Sequence, residues 1–148
     1  ETVVVASVWE ALVQDAHFET GWPLEALVCE LDSTCQLRVH LNSFAQALEN
    51  VLRNAIRHSP VHGVVRLRGR RDGDSWCLVV EDQGPGVADA DLERIFEPYL
   101  RLDGTQGSGF GLGLSIARRA IELQGGELWA SRGAQGLRMN LRLPAANV

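Results

Sequence analysis

Apolar residues along the chain follow two periods, one typical of strands and the other typical of helices. Strand-like segments lie at 3–5, 24–31, 35–41, 64–71, 75–82, 126–132 and 137–144. Helix-like segments lie at 7–19, 44–58, 89–96 and 111–124. No internal repeat and no linker interrupts them. We therefore predict a single α+β domain over residues 1–148, with helices on one face of a mixed, mostly antiparallel sheet.

Capping and turn residues mark the ends of several segments. Ser7 is expected to cap the first helix, and Asn42 or Ser43 is expected to cap the second. The sequence DGD at 72–74 predicts a turn between two paired strands. Gly125, which another glycine follows, is placed to end the last helix.

Composition excludes several classes of site. All 14 basic residues are arginine, which excludes a P-loop ending in Gly-Lys-Ser/Thr and also Schiff-base chemistry. Backbone amides, arginine and a metal would have to hold any nucleotide. The net charge of −5 argues against nucleic acid. Since no apolar run approaches the about 20 residues of a membrane helix, we expect this domain to make no membrane contact.

Three cysteines, Cys29, Cys35 and Cys77, lie in apolar or strand-like stretches without CxxC spacing. We interpret them as core residues rather than as a disulfide or a zinc site. Free cysteines fit a reducing compartment. The first residues carry acids and lack the basic start of a signal peptide. Together these features predict a cytoplasmic domain.

The segment 44–58 carries two asparagines four residues apart, Asn50 and Asn54, and Arg57 and His58 continue this face. Asparagine is a poor helix former, so this spacing needs a reason. One interpretation is a solvated polar face. The other is a row of amide oxygens for magnesium, which takes oxygen ligands and keeps several waters. The segment alone leaves both open.

A second pattern begins where a strand ends in Glu81 and Asp82, with Gly84 and Gly86 following. A carboxylate at a strand end can accept a hydrogen bond from an amino group such as that of adenine. The glycines would let the backbone approach the ring closely. The same DxGxG pattern also describes many ordinary turns, and that alternative stays open.

A third pattern is the alternation of glycines at 107, 109, 111 and 113 before the last helix. Exposed amides at a helix N-terminus bind phosphate, helped by the positive end of the helix dipole. The spacing does not match the GxGxxG dinucleotide fingerprint. A flexible linker is the alternative, but the abrupt change into a strongly patterned helix favours a backbone requirement.

Taken in order, these patterns resemble the catalytic, ATP-binding domain of two-component sensor histidine kinases, within the gyrase, chaperone, histidine kinase and MutL ATPase superfamily. Residues 50–55 (NVLRNA) resemble its N box, and residues 82–86 (DQGPG) its G1 box. Residues 95–99 (IFEPY) are similar to its F box, and residues 109–116 (GFGLGLSI) to its G2 box. The resemblance runs from about residue 7 to 143.

The resemblance implies a Bergerat-type fold, a two-layer α/β sandwich in which ATP lies between the helices and a lid. It also implies that Asn54 ligates Mg²⁺, with Asn50 near the metal and the phosphates. Arg57 replaces a basic residue that often reaches the phosphates. These three residues are the expected catalytic residues, and ATP and Mg²⁺ are the expected cofactors.

An adenine pocket and a phosphate-binding loop are further implications of the resemblance. His58 is expected beside the adenine, and Asp82 is expected to accept a hydrogen bond from the adenine amino group. Residues 97–110 would form the ATP lid, anchored by Phe96. The other expected nucleotide-binding residues are Gly84, Gly86, Val87, Arg101, Gly109, Phe110, Gly111, Leu112 and Gly113.

The acceptor histidine is expected outside this chain. None of His17, His40, His58 and His62 has the typical acceptor context of a following acid and, further on, a Thr-Pro or Ser-Pro. The nearest is His17-Phe-Glu-Thr, which has no proline after the threonine. The resemblance thus implies an acceptor-histidine dimerisation domain elsewhere in the parent protein, and a response regulator as the final recipient. It also implies a homodimeric parent anchored in the bacterial inner membrane. The isolated domain is expected to bind ATP but not to autophosphorylate.

Three other functions compete with this interpretation. An ATP hydrolase of the same superfamily would place a glutamate at position 50, where the chain has Asn50, and an amide cannot act as a general base. Glu49 is adjacent, but one residue along a helix turns it about 100° away. An anti-sigma-factor kinase would phosphorylate serine, although the G2 sequence looks more like the sensor kinases. A nucleotide-sensing module without phosphoryl transfer is the third.

Overall fold

Seven strands in two sheets form the β-structure of residues 1–98 and 113–146, the part of the chain that the computed structural model describes. The strands are β1 (Thr2–Val4), β2 (Leu27–Cys29), β3 (Gln36–Arg38), β4 (Val65–Asp72), β5 (Ser75–Glu81), β6 (Glu127–Arg132) and β7 (Leu137–Pro144). The larger sheet has the order β2-β4-β5-β7-β6. In it β2 is parallel to β4, and the other three neighbouring pairs are antiparallel. β1 pairs with β3 in a small antiparallel sheet.

Three α-helices accompany these strands in the described part of the chain: α1 (Val5–Thr20), α2 (Leu41–His58) and α3 (Gly113–Glu122). α2 packs against α3 and against β4 and β5, while α1 packs on α2 and β2. The mixed, mostly antiparallel sheet with helices confirms the predicted α+β fold class.

Burial along β7 shows how the sheet separates the core from solvent. Its fully buried residues, which face the helices, are Leu137, Met139, Leu141 and Leu143. The residues between them, Arg138, Asn140 and Arg142, are only half-buried on the opposite face. This alternation has the period of two that a strand covered on one face requires.

The predicted cap of the first helix is wrong. α1 begins at Val5, and Ser7 lies inside it. The extended residue Val4 is the N-cap and has no side-chain capping bond. Instead, the backbone N–H of Val5 donates to the carbonyl of Cys35 at 3.2 Å. The N–H at the start of α1 is therefore satisfied by a carbonyl distant in sequence and not by a nearby capping side chain.

The predicted cap of the second helix is wrong as well. α2 begins at Leu41, so Asn42 and Ser43 lie in its first turn. His40 is the N-cap, and its Nδ1 accepts a hydrogen bond from the backbone N–H of Ser43 at 3.4 Å. A ring nitrogen thus takes the place of the side-chain oxygen that usually caps a helix.

Three predicted elements are shorter or of another type. The strand predicted at 35–41 is limited to β3, because His40 caps α2 and Leu41 begins it. The strand predicted at 24–31 is limited to β2, since Leu24–Ala26 forms a 3-10 turn after Pro23. The helix predicted at 89–96 consists of two 3-10 turns, Asp89–Asp91 and Arg94–Phe96. These segments are too short for period alone to distinguish the element types.

Both predicted glycine turns are confirmed. Gly73 has φ +61° between β4 and β5, where Asp72 pairs directly with Ser75. Gly125 has φ +81°, and its N–H donates to Glu122 while that of Gly126 donates to Ile121. These two bonds form a Schellman motif at the end of α3.

Among the described residues, none of the helices combines the length and the apolar character of a membrane span.

Candidate functional site

A buried carboxylate, Asp82, lies directly after β5 and is only 3% exposed. Its Oδ1 accepts hydrogen bonds from the backbone N–H of Gly84 at 2.9 Å and of Leu137 at 3.2 Å. Its Oδ2 accepts none from the described residues. Burial raises the pKa of Asp82, although the two backbone N–H groups act in the opposite direction. One oxygen therefore holds the backbone, and the other is available to a donor on a ligand.

A cavity of about 20 Å³ lies against this carboxylate. The residues that line it are His58, Asp82, Pro85, Gly86, Val87 and Leu137. The structure therefore brings together His58, Asp82, Gly86 and Val87, four residues that the sequence assigned to nucleotide binding.

Two glycines let the backbone close around Asp82. A Cβ atom on Gly84 would overlap the carbonyl oxygen of His58 and would come within 3.2 Å of Asp82 Oδ1. A Cβ atom on Gly136 would overlap Asp82 Oδ1 and lie 2.8 Å from the Gly84 nitrogen. The α2 C-terminus and the turn before β7 thus approach the DxGxG segment as closely as backbone allows.

Gly84→Ala is expected to destabilise the protein even without ligand. Overpacking a filled site costs about 1–3 kcal/mol, or roughly 3–10 °C in Tm for a chain of this size. Gly113→Ala is the matched control, because among the described residues a Cβ atom there would meet only Asn50, at 3.9 Å, and alanine favours the helix. Thermal unfolding of both variants checks this, and equal Tm changes would contradict the close approach at Gly84.

The α2 face carries the two asparagines in different environments. Asn54 is 7% exposed, and its buried Nδ2 makes no hydrogen bond with the described residues. A solvated polar face is therefore the wrong interpretation for Asn54. Asn50 is half-buried, and its Nδ2 donates to the carbonyl of Gly113 at 3.2 Å, which joins α2 to α3. Because buried polar groups normally have partners, the unused Nδ2 of Asn54 indicates that this amide can contact a ligand.

The end of α2 supplies a neutral ring beside an exposed cation. Burial lowers the pKa of His58, and the positive charge of neighbouring Arg57 lowers it further. His58 is half-buried at the cavity, whereas Arg57 is exposed. A neutral imidazole is a suitable surface for a heterocycle, while Arg57 remains at the solvent side.

Phe96 lies away from this cavity, in contact with α3. It is 6% exposed, and the guanidinium of Arg118 lies 4.2 Å from the centre of its ring. Arg118 also donates two hydrogen bonds to Glu93, at 2.5 and 3.2 Å. This cation–π contact and bidentate ion pair fasten the turn Arg94–Phe96 to α3. The predicted site residues Arg101, Gly109, Phe110, Gly111 and Leu112 lie outside the described residues.

Two residues of the cavity region, Gly136 and Leu137, were missed by sequence reasoning. They are adjacent to Asp82 because β5 pairs with β7 in the register Glu81↔Arg138. Gly133 and Gly136 lie between the strand-like segments 126–132 and 137–144, but nothing in the local sequence placed this connection beside the DxGxG segment. In the described residues, no group of three or more His, Cys, Asp or Glu could hold a metal.

Comparisons with known proteins show what this chain is similar to. Residues 40–147 match the family model of histidine kinase-, DNA gyrase B- and HSP90-like ATPases. The chain is 63% identical over 146 residues to the sensor protein PfeS of Pseudomonas aeruginosa, covering 99% of this chain and 33% of PfeS. It is 33% identical over 149 residues to the sensor histidine kinase CpxA of Escherichia coli, covering 97% of this chain and 32% of CpxA. The chain thus spans about a third of the length of these curated relatives.

Solved structures show the same fold. The mycobacterial sensor histidine kinase MprB superimposes with a TM-score of 0.81 at 28% sequence identity, covering 98% of this chain and 97% of that one. The catalytic domain of the histidine kinase ThkA gives a TM-score of 0.80 at 18% identity, covering 98% and 96%. The likeness to ThkA concerns the fold alone.

Proposed function

The chain belongs to the family of histidine kinase-, DNA gyrase B- and HSP90-like ATPases, and we propose that it binds Mg-ATP and transfers the γ-phosphoryl group to a histidine on a separate dimerisation domain. The observation that carries this proposal is the buried carboxylate of Asp82, which offers Oδ2 to a ligand at the cavity. The domain would occupy residues 1–148 of a larger sensor kinase, which then phosphorylates a response regulator.

Base recognition is assigned to the site at the end of β5, where the cavity of about 20 Å³ has room for one water and would have to widen to admit a purine. Asp82 Oδ2 would accept a hydrogen bond from the adenine amino group, because Oδ1 is already occupied by two backbone donors. Val87 and Leu137 form an apolar wall of the cavity, and His58 lines the same cavity. A carboxylate in this position favours adenine over guanine, since guanine presents a carbonyl oxygen where adenine has its amino group.

Phosphate and metal binding is assigned to α2. Asn54 would ligate Mg²⁺ through its amide oxygen, since its unused, buried Nδ2 is a donor and cannot bind a cation. Asn50, whose Nδ2 contacts the start of α3, lies one helical turn away. Bound Mg²⁺ would neutralise charge on the phosphates during transfer. Arg57 would add a cation at the exposed end of the same helix. Gly113 and the residues of the G2 box would offer backbone amides to the phosphates.

The groups at the site support transfer to a histidine rather than hydrolysis. Phosphoryl transfer depends mainly on positioning and electrostatic stabilisation, so the acceptor can come from another domain. Asn50 cannot deprotonate water. We propose that the parent protein contributes the acceptor histidine, is a homodimer through the helices that carry it, and is anchored in a membrane. Radiolabel transfer from γ-labelled ATP to an acceptor-histidine domain tests this; absence of label on that histidine would reject the proposal.

The isolated domain is expected to bind Mg-ATP yet to hydrolyse it slowly, since no general base lies at position 50. ATP binding by calorimetry and phosphate release on the same sample are the two measurements. We expect turnover far below about 1 s⁻¹, which is roughly a tenth of the median enzyme. Faster turnover would support an ATP hydrolase instead. Binding without any transfer to the acceptor domain would support a nucleotide-sensing module.

A further inference from the structure

Glu81 is the last residue of β5 and binds three donors, although the proposed chemistry does not use it. Its side chain is only 13% exposed. Oε1 accepts a hydrogen bond from Arg68 Nη2 at 2.6 Å, and Oε2 accepts from Arg138 Nε and from the backbone N–H of Ala134, both at 3.2 Å. Two of these bonds join opposite charges, so they are stronger than neutral ones.

The turn at residues 133–136, between β6 and β7, lies between two carboxylates. The N–H of Gly133 donates to the carbonyl of Gly136 at 2.8 Å, which closes the turn. A Cβ atom on Gly133 would overlap Glu81 Oε2, and one on Gly136 would overlap Asp82 Oδ1. One end of the turn is therefore in contact with Glu81, and the other end is in contact with Asp82.

The position of this turn determines the environment of Asp82. Leu137, the next residue, donates its N–H to Asp82 Oδ1 and accepts from the Asp82 N–H at 3.1 Å. Its side chain also lines the cavity. If the turn moved away, Asp82 Oδ1 would lose one of its two donors, and the cavity would lose a wall. Without both backbone donors on Oδ1, the Asp82 carboxylate would no longer be held in the orientation that points Oδ2 towards the ligand.

We propose that Glu81 is a positioning residue for base recognition, which holds the 133–136 turn against Asp82 so that Oδ2 meets the adenine amino group. This inference rests on the proposed function of the Asp82 cavity. Glu81 acts through the Ala134 N–H, and the two arginines stabilise its charge beside that of Asp82. The reach of the side chain to Ala134 matters more than its charge.

A second ion pair on the same sheet provides a matched control. Arg142 on β7 donates to Asp72 at 2.8 Å, at the opposite end of the β4–β5 hairpin from Glu81. Asp72 makes no bond to the 133–136 turn. Exposed pairs of this kind contribute little to stability. If Glu81 served only as a surface ion-pair residue, removing it would have the same effect as removing Asp72.

Three substitutions at position 81 separate reach from charge. Glu81→Gln keeps a carbonyl oxygen for the Ala134 N–H but has no charge. Glu81→Asp keeps the charge, but its carboxylate is set back by roughly 1.5 Å, one carbon–carbon bond. Glu81→Ala removes both. Kd values for ATP and GTP are measured for these variants, for Asp72→Ala and for the wild type, beside the Tm of each nucleotide-free protein.

We expect Glu81→Ala and Glu81→Asp to raise the Kd of ATP about ten-fold while the Kd of GTP changes less, so that the ATP/GTP preference shrinks. Loss of one hydrogen-bond constraint is of this size. Glu81→Gln should stay within about three-fold of wild type, because it retains the bond to Ala134. Asp72→Ala should leave both constants unchanged.

Two results would overturn the inference while leaving the proposed function intact. One is a wild-type preference for ATP that all three Glu81 variants keep. The other is loss of preference in Glu81→Gln with retention in Glu81→Asp, which would mean that charge and not reach matters. A wild type that binds ATP and GTP equally would reject the proposed function, and the inference with it. If Glu81→Ala does not fold, the comparison of Glu81→Gln with Glu81→Asp still decides between reach and charge.

Discussion

Asp82→Asn is expected to weaken ATP binding and to reduce the preference for ATP over GTP. A hydrogen bond to a charged group contributes about 1.5–3 kcal/mol, so the Kd of ATP should rise roughly 10- to 150-fold. The asparagine amide can rotate to offer a donor to the guanine carbonyl, so GTP should lose less. Asp82→Ala should lose ATP affinity without gaining GTP. Dissociation constants for both nucleotides in the three proteins measure this.

The melting temperatures of the nucleotide-free proteins distinguish base recognition from turn formation. The sequence left open whether Asp82 serves a ligand or a turn, and its Oδ1 bonds to Gly84 and Leu137 show a structural role beside the proposed one. Asp82→Asn can keep an oxygen for those bonds, whereas Asp82→Ala cannot. We therefore expect a lower Tm only for Asp82→Ala. Unchanged base preference in both variants would mean that Asp82 serves the turn alone.

The pH dependence of stability gives a separate check on the burial of Asp82. Because burial raises the pKa of this carboxyl in the folded protein, the folded state binds the proton more tightly than the unfolded state does. The contribution of Asp82 to stability is therefore greatest below the unfolded pKa of about 3.9 and decreases as pH rises through the raised folded pKa. The Tm difference between wild type and Asp82→Asn should therefore decrease as pH rises through that range. A Tm difference that does not change with pH would contradict the raised pKa of Asp82.

The sequence predicted the parts of the site that lie in one continuous segment. Asp82, Gly84 and Gly86 belong to a single pattern, and the structure places all three at the carboxyl end of β5. Gly136 and Leu137 belong to the same region but lie more than fifty residues further along the chain. Their position depends on which strand pairs with β5 and in which register, and that pairing is decided by the packing of the whole sheet.

Helix boundaries were harder to predict for the same reason. The N–H of Val5 is satisfied by the carbonyl of Cys35, so no capping side chain is needed at the start of α1. The existence and type of long, strongly periodic segments such as α2 and β7 were predicted correctly, because their burial pattern repeats several times. Where a partner distant in sequence completes an element, as at Val5, the local sequence pattern does not predict that partner.

Asn54→Ala is expected to reduce phosphoryl transfer about 100-fold or more while leaving the fold intact. A metal ion contributes several kcal/mol of charge stabilisation in such reactions, and each 1.4 kcal/mol is a factor of ten. The fold should tolerate the change, because the Asn54 Nδ2 makes no hydrogen bond with the described residues. Alanine is also a better helix former by roughly half a kcal/mol. Transfer to an acceptor-histidine domain and Tm are the two measurements.

Asn42→Ala is the matched control, since it makes the same change in the exposed first turn of α2. Its transfer rate should equal that of wild type. A titration with Mg²⁺ then separates metal binding from other causes: if Asn54 is a ligand, the Mg²⁺ concentration for half-maximal transfer should rise in Asn54→Ala and stay constant in Asn42→Ala. Equal transfer at every Mg²⁺ concentration would mean that Asn54 does not bind the metal, and its buried, unused Nδ2 would still need a partner.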